Sequence, residues 1–97
     1  MAILVLLSAK AKPENVDSFQ ALIKEIFPDT RSYDGCQELN LHLNMDDSRT
    51  FLVVGRWDSR PHYEKYLAWR VETGLLARFE ALLEEAPSIQ FYEVVDA

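Results

Sequence analysis

Gln37-Glu38-Leu39-Asn40-Leu41-His42-Leu43-Asn44 alternates strictly, and Thr50-Phe51-Leu52-Val53-Val54-Gly55-Arg56-Trp57 follows it after the polar stretch Met45-Asp46-Asp47-Ser48-Arg49. A period of two puts Leu39, Leu41 and Leu43 on one strand face and Glu38, Asn40, His42 and Asn44 on the other. The second stretch is apolar on both faces, as in a strand covered on both sides. Together they predict an antiparallel hairpin closed by residues 45–49.

Upstream of the hairpin, Asp34-Gly35 is a turn signal that ends a polar connector beginning at Asp29. Before it, Val16, Phe19, Leu22, Ile23, Ile26 and Phe27 recur at helical spacing. Pro13-Glu14 suits the first turn of that helix, and Pro28 predicts its end at about Phe27. Ala2 to Ala9 is a short apolar run that reads as a buried strand. Met1 to Leu7 superficially resembles a leader, but it has no positive flank and leads straight into the helix start, so a strand is expected.

Downstream, Ser59 is a plausible N-cap, with Pro61 in the first turn behind it. A short helix is expected over His62–Leu67, then a longer one with Val71, Leu75, Phe79, Leu82 and Leu83 on one side. Gly74 falls inside or between them, and Pro87 ends the helical run. Ile89 to Val95 predicts a last strand with apolar residues on both faces. The order is βαββαβ, an α+β ferredoxin-like arrangement with an antiparallel sheet and helices on one face, in a single domain over residues 1–97.

The chain has 97 residues, 48% of them hydrophobic, with ten Lys and Arg against sixteen Asp and Glu, a net charge of −6. That balance, with no cluster of basic residues, argues against nucleic acid and against an anionic membrane surface as partners. No stretch approaches the roughly 18 apolar residues of a membrane span, so a cytoplasmic protein is expected. The single cysteine, Cys36, rules out an intrachain disulfide framework. With helices on one sheet face only, the apolar residues of the other face need cover, most economically a second copy of the chain.

Local signals then meet a known pattern. Thr30-Arg31-Ser32-Tyr33-Asp34-Gly35-Cys36 resembles the T-R-x-E-x-G-C connector of antibiotic biosynthesis monooxygenase-like domains. Phe51 through Arg56-Trp57-Asp58-Ser59 is similar to the third strand of that family, and Phe79-Glu80-Ala81-Leu82-Leu83 with Pro87-Ser88-Ile89 to its closing helix and strand. The resemblance runs from Ile3 to about Val94. It implies a dimeric α+β barrel, two sheets face to face, with a pocket between helices and sheet in each subunit. Family members include cofactor-free oxygenases of aromatic polyketides, haem-degrading enzymes and isomerases of small signalling sugars. Two positions depart from the pattern: Tyr66 stands where many members carry His, and Val53 where the polyketide oxygenases carry Asn.

The candidates follow from that implied pocket. Trp57 would supply a flat apolar wall or an indole donor to a planar substrate; its plainer reading is an aromatic closing the strand end. Trp69 reads as core or dimer contact. His42, with Asn40 on the same strand face, is the natural acid or base if that face meets the pocket; otherwise both are ordinary polar strand residues. Arg70 could bind an anionic or phenolate oxygen, or pair at the surface with Glu72 or another of the sixteen acids. Tyr66 could donate a proton, or be a half-buried helix residue. Ser8 is the only polar side chain within the apolar run of the first strand, and Val53 lies where a substrate-positioning residue would be. His62 is expected to be solvated, and Cys36 to be a buried structural thiol.

No metal-ligand spacing, Gly-rich phosphate loop, GxSxG or dinucleotide fingerprint is present, so no tightly held cofactor or metal is expected. The leading expectation is a homodimeric, cofactor-free monooxygenase of a small aromatic substrate, phenolic or quinol-like. The alternatives are a non-catalytic ligand-binding or dimerisation module on the same fold, and a small-molecule isomerase.

Overall fold

The computed structural model describes residues 2–97; Met1, which opens the first apolar run, lies outside the described residues. The elements are β1 (Ile3–Lys10), a short 3₁₀ turn (Pro13–Asn15), α1 (Val16–Arg31), β2 (Cys36–Leu43), β3 (Thr50–Trp57), α2 (Arg60–Glu72), α3 (Leu75–Leu82) and β4 (Ser88–Glu93). The strands form one antiparallel sheet in the order β2-β3-β1-β4. This is the ferredoxin-like α+β arrangement, with its second helix split by Gly74 at φ +80°.

Register sorts the strand residues into two faces. Val5, Leu39, Phe51 and Trp57 are buried on the inner face beneath the helices. Leu6, Asn40 and Val54 lie abreast on the outer face, against which no helix packs among the described residues, and Ser8, Leu52 and His42 form the next row. A bulge between Cys36 and Glu38 interrupts the alternation, and it lets Cys36 pack inward beside Trp57. Gly35, at φ +95°, makes the preceding turn in contact with His62: a Cβ there would lie 2.6 Å from the Cβ of His62.

Three expectations are corrected. First, α1 does not stop at Phe27; it runs through Pro28 to Arg31. The missing N–H of Pro28 costs one helical bond, but the last turn is anchored from outside. The Arg31 guanidinium donates to the Leu39 carbonyl at 2.9 and 3.3 Å and lies 5.0 Å from the centre of the Phe27 ring. Second, α2 is one helix of 13 residues, and Val71 is 57% exposed, off the buried face. That face carries Tyr63, Tyr66 and Arg70, whose hydroxyls and charge hide it from an apolar count. Third, β4 ends at Glu93, leaving Val94 and Val95 exposed. Its inner face holds Ile89 and Phe91, while its outer face is Ser88, Gln90 and Tyr92 rather than an apolar row.

The core has two parts. Phe19 joins Phe51 and Phe79 at ring distances of 5.2 Å in one, and Trp57, Tyr63 and Tyr66 with Val5 make the other. The candidate site lies where the two parts meet.

Candidate functional site

Between the helices and the inner sheet face is a cavity of about 50 Å³. Its lining is apolar except along one edge, formed by Thr30 from α1 and by Tyr63, Tyr66 and Arg70 from α2, with Trp57 at the end of β3.

Trp57 is 1% exposed. Its indole meets Tyr63 edge-on at 5.2 Å and Tyr66 at 5.0 Å. Gly55 is what lets the indole lie back against the strand: a Cβ there would sit 2.8 Å from Trp57 Nε1 and 3.3 Å from Leu39 Cδ1. Spacings of three and four residues turn Tyr63, Tyr66 and Arg70 to one side of α2. Ser59 caps that helix through its hydroxyl, which accepts from the His62 amide.

Thr30, Tyr66 and Arg70 form a closed network. Arg70 Nε donates to Tyr66 Oη at 3.0 Å, and Arg70 Nη2 donates to Thr30 Oγ1 at 2.9 Å and to the Ile26 carbonyl at 3.1 Å. Thr30 Oγ1 and Tyr66 Oη are 2.8 Å apart, and Thr30 Oγ1 also lies 3.3 Å from the Ile26 carbonyl. Either hydroxyl can donate to the other. When Tyr66 donates to Thr30, Thr30 donates to Ile26; when Thr30 donates to Tyr66, the phenol proton is left over for a third partner.

Arg70 is 6% exposed, and every acceptor on it is neutral. Among the described residues no carboxylate lies within ion-pair distance of it, so the surface pair with Glu72 weighed above does not form. Removing a charge from water costs several kcal/mol, roughly. The last turn of α1 and the Trp69 ring, 4.4 Å from the guanidinium carbon, offset part of that. On its far side Arg70 borders an open groove of about 250 Å³ with Glu25, Asp29 and Arg78. Ile26, Arg70 and Leu75 line both spaces and form the wall between them.

Burial pushes the Tyr63 phenol well up, with the neighbouring Tyr66 adding to it, so Tyr63 stays protonated at neutral pH, a hydroxyl that can donate one hydrogen bond and accept others. Among the described residues no His, Asp or Glu lines the cavity.

Of the residues singled out from sequence, the fold gathers Trp57, Tyr66, Arg70 and Val53 at the cavity. His42, Asn40 and Ser8 are exposed on the outer sheet face, so the sheet stands between them and the cavity. His42 is therefore not the acid or base of this pocket, and the strand alternation with Leu39 and Leu41 is the physical reason. His62 is half-buried rather than solvated, with Nδ1 2.6 Å from Ser59 Oγ. Burial pushes the Cys36 thiol up against the opposing pull of Arg31, which keeps it a poor nucleophile. Thr30 is hidden in the sequence because Pro28 predicts a helix end before it, and Tyr63 because its stretch predicts no more than a short helix. The signal for Tyr63 was its place three residues before Tyr66 and seven before Arg70.

Among the described residues no three of His, Cys, Asp and Glu gather in a way that could hold a metal ion, and no helix is long and apolar enough to cross a membrane. A search of curated proteins finds no match. Solved structures with the same fold include a conserved protein from Methanosarcina mazei Go1 (18% identity over 96% of this chain and 92% of that one, TM-score 0.87). Others are a protein named antibiotic biosynthesis monooxygenase (21%, 97% and 99%, TM-score 0.86) and Rv0793 from Mycobacterium tuberculosis (20%, 100% and 98%, TM-score 0.80). These identities speak to the fold alone. The family model described as antibiotic biosynthesis monooxygenase matches residues 2–70, a stretch that includes Trp57, Tyr66 and Arg70, and the chain belongs to that family.

Proposed function

We propose that the protein is a cofactor-free monooxygenase of a small aromatic compound, phenolic or quinol-like, working in the cytoplasm as a homodimer. The observation that carries this reading is a cavity apolar on all sides but one, where Thr30, Tyr66 and Arg70 meet beside the Trp57 indole. Trp57 packs against the ring, Val53 and Leu39 form the floor, and Tyr66 and Arg70 present donors to the oxygen of the substrate.

The chemistry balances with dioxygen as sole oxidant. A carbanion of the ring system passes one electron to dioxygen, and the radical pair joins to form a C–O bond. The resulting peroxide takes up a proton, then breaks its O–O bond as a second C–H proton leaves. One oxygen atom ends as a carbonyl and the other as water. The protein supplies orientation, a water-poor space and donors for the oxyanion.

At about 50 Å³ the cavity is smaller than the roughly 150 Å³ that accommodates benzene. Admission of a ring therefore needs the cavity to widen, and the Ile26–Arg70–Leu75 wall has the groove behind it as space to yield into. Dimerisation is supported by the half-buried Leu4, Leu6, Leu52 and Val54 of the outer sheet face, which no helix covers.

The test is oxygen uptake by purified protein with quinols and anthrones. Turnover lost in Trp57→Phe and Arg70→Met supports the reading; no uptake above the uncatalysed rate with any ligand that binds would reject it. A second reading, a non-catalytic ligand-binding module, is favoured by the lack of any carboxylate or imidazole in the cavity. It predicts tight binding with no oxygen dependence, whereas an isomerase would turn over equally well under nitrogen.

A further inference from the structure

The two halves of the core differ in chemistry. The half around Phe19 holds Phe and aliphatic side chains, whereas the half around Trp57 is built from Trp and Tyr, which give up an electron far more readily. These rings do not stop at the cavity lining. Trp57 and Tyr66, which line it, lie 5.0 Å apart between ring centres. Tyr66 meets Tyr33 edge-on at 5.2 Å, and Tyr33 stacks on Trp69 at 5.2 Å with the planes 22° apart. Tyr66 also reaches Trp69 directly, at 6.1 Å. Tyr33 and Trp69 lie outside the lining, and both are half-buried. A continuous run of indole and phenol rings therefore leads from the cavity to the surface.

The surroundings decide where a missing electron comes to rest on this run. Arg70 lies 4.4 Å from the Trp69 ring centre and 5.4 Å from that of Tyr66, and its charge opposes a second positive charge on either ring. An oxidised phenol must also shed its proton. The Tyr66 hydroxyl meets only the Thr30 hydroxyl and the Arg70 guanidinium, neither of them a base. Burial pushes the Tyr63 phenol and the Cys36 thiol up, so these two neighbours hold their protons. Phe91, the next ring after Tyr63, is not readily oxidised. Tyr33 is different. Among the described residues no cation lies over its ring. Its phenol oxygen has no protein partner and is not fully enclosed, so its proton can leave to water.

We propose that Trp57, Tyr66, Trp69 and Tyr33 form a relay that carries oxidising equivalents out of the cavity to Tyr33 at the surface. The source of the oxidant rests on the oxygenase reading. A substrate radical that escapes pairing with superoxide adds another dioxygen molecule and becomes a peroxyl radical. The peroxyl radical takes one electron from Trp57 and one proton from water, which gives the hydroperoxide of the productive route. The hole on Trp57 passes through Tyr66 to the stacked Tyr33 and Trp69. Tyr33 releases its proton to water and becomes a neutral phenoxyl radical. An ene-diol reductant such as ascorbate then gives Tyr33 one hydrogen atom, restoring the phenol and leaving the ene-diol radical. Trp57 thus loses nothing permanently, and the damage that a peroxyl radical would do in the cavity is averted.

Pulse radiolysis with the azide radical tests the relay with no substrate and no turnover. At neutral pH this radical oxidises tryptophan in preference to tyrosine, and the two amino-acid radicals absorb at different wavelengths. The expected result is a tryptophan radical that becomes a tyrosine radical in a first-order step independent of protein concentration. Trp69→Phe leaves Trp57 as the single tryptophan, and the conversion should persist there through Tyr66. Tyr33→Phe should slow it about tenfold or more, because the ring contact survives but the hydroxyl that sheds the proton is gone. Tyr92→Phe, on the outer sheet face, should leave it unchanged. Ascorbate should shorten the life of the tyrosine radical in proportion to its concentration. No conversion in the Trp69→Phe protein, a rate untouched by Tyr33→Phe, an equal slowing by Tyr92→Phe, or a radical insensitive to ascorbate each overturns the proposal. Should the conversion occur as expected while no quinol consumes oxygen, the oxygenase reading falls and the relay stands. Oxygen insertion without any conversion has the opposite meaning.

Discussion

Replacing Gly55 by Ala tests whether the Trp57 indole is held where the cavity needs it. The backbone there is ordinary strand, so alanine meets no conformational barrier, and the smaller loss of chain entropy favours it by roughly 0.5–1 kcal/mol. Against that, the new Cβ would sit 2.8 Å from Trp57 Nε1, 3.3 Å from Trp57 Cδ1 and 3.3 Å from Leu39 Cδ1. Overpacking of this kind costs about 1–3 kcal/mol. Strain wins, and the net loss is on the order of 1 kcal/mol, a fall in Tm of roughly 4–8 °C for a chain this size. The indole has the strand behind it and Tyr63 and Tyr66 beside it, so it can yield only toward the cavity. Ligand affinity should then drop about fivefold. Thermal unfolding followed by circular dichroism reads the first effect, and a 4-nitrophenol titration reads the second. A Gly55→Ala protein that keeps both its Tm and its affinity would refute the placement of the indole as a cavity wall.

Three other outcomes are expected. Arg70→Met should change stability by no more than about 1.5 kcal/mol, because the desolvation of an unpaired charge roughly cancels its three hydrogen bonds; a urea midpoint far below wild type would make Arg70 a structural residue. Thr30→Val should cost about 1–3 kcal/mol by leaving Tyr66 and Arg70 each short of a partner, with Thr30→Ser restoring most of it in the same denaturation assay. Tyr63 has its phenol pushed up by burial from an ordinary value of 10.0. The unfolded chain ionises first, so this contribution is whole below about pH 10 and lost as pH rises through the folded pKa. Tyr63→Phe should therefore show a shallower alkaline loss of stability than wild type, and parallel curves between pH 8 and 11 would contradict it.

The fold was legible because its strands obey simple periods. The alternation over residues 38–43 and the doubly apolar Thr50–Trp57 run define the hairpin, and the stripe from Phe19 to Phe27 defines α1. The site was harder to read because its residues break those periods. Thr30 sits past a proline, in a turn held by Arg31 reaching to a carbonyl of β2, a tertiary contact that helix propensity does not contain. Tyr63, Tyr66 and Arg70 turn polar atoms inward, so α2 shows no apolar stripe. Trp57 was legible as a candidate by its place at the strand end, but its geometry depends on the missing side chain at Gly55. His42 drew attention by its chemistry alone, and the pleat of β2 turns it away from the cavity.

The reaction is tested most directly by running it under heavy-isotope dioxygen and weighing the product. A quinol or anthrone should gain one labelled oxygen atom in its new carbonyl, with the second label appearing in water and none in hydrogen peroxide. Label found only in hydrogen peroxide, or product oxygen drawn from solvent, would contradict monooxygenation at this cavity.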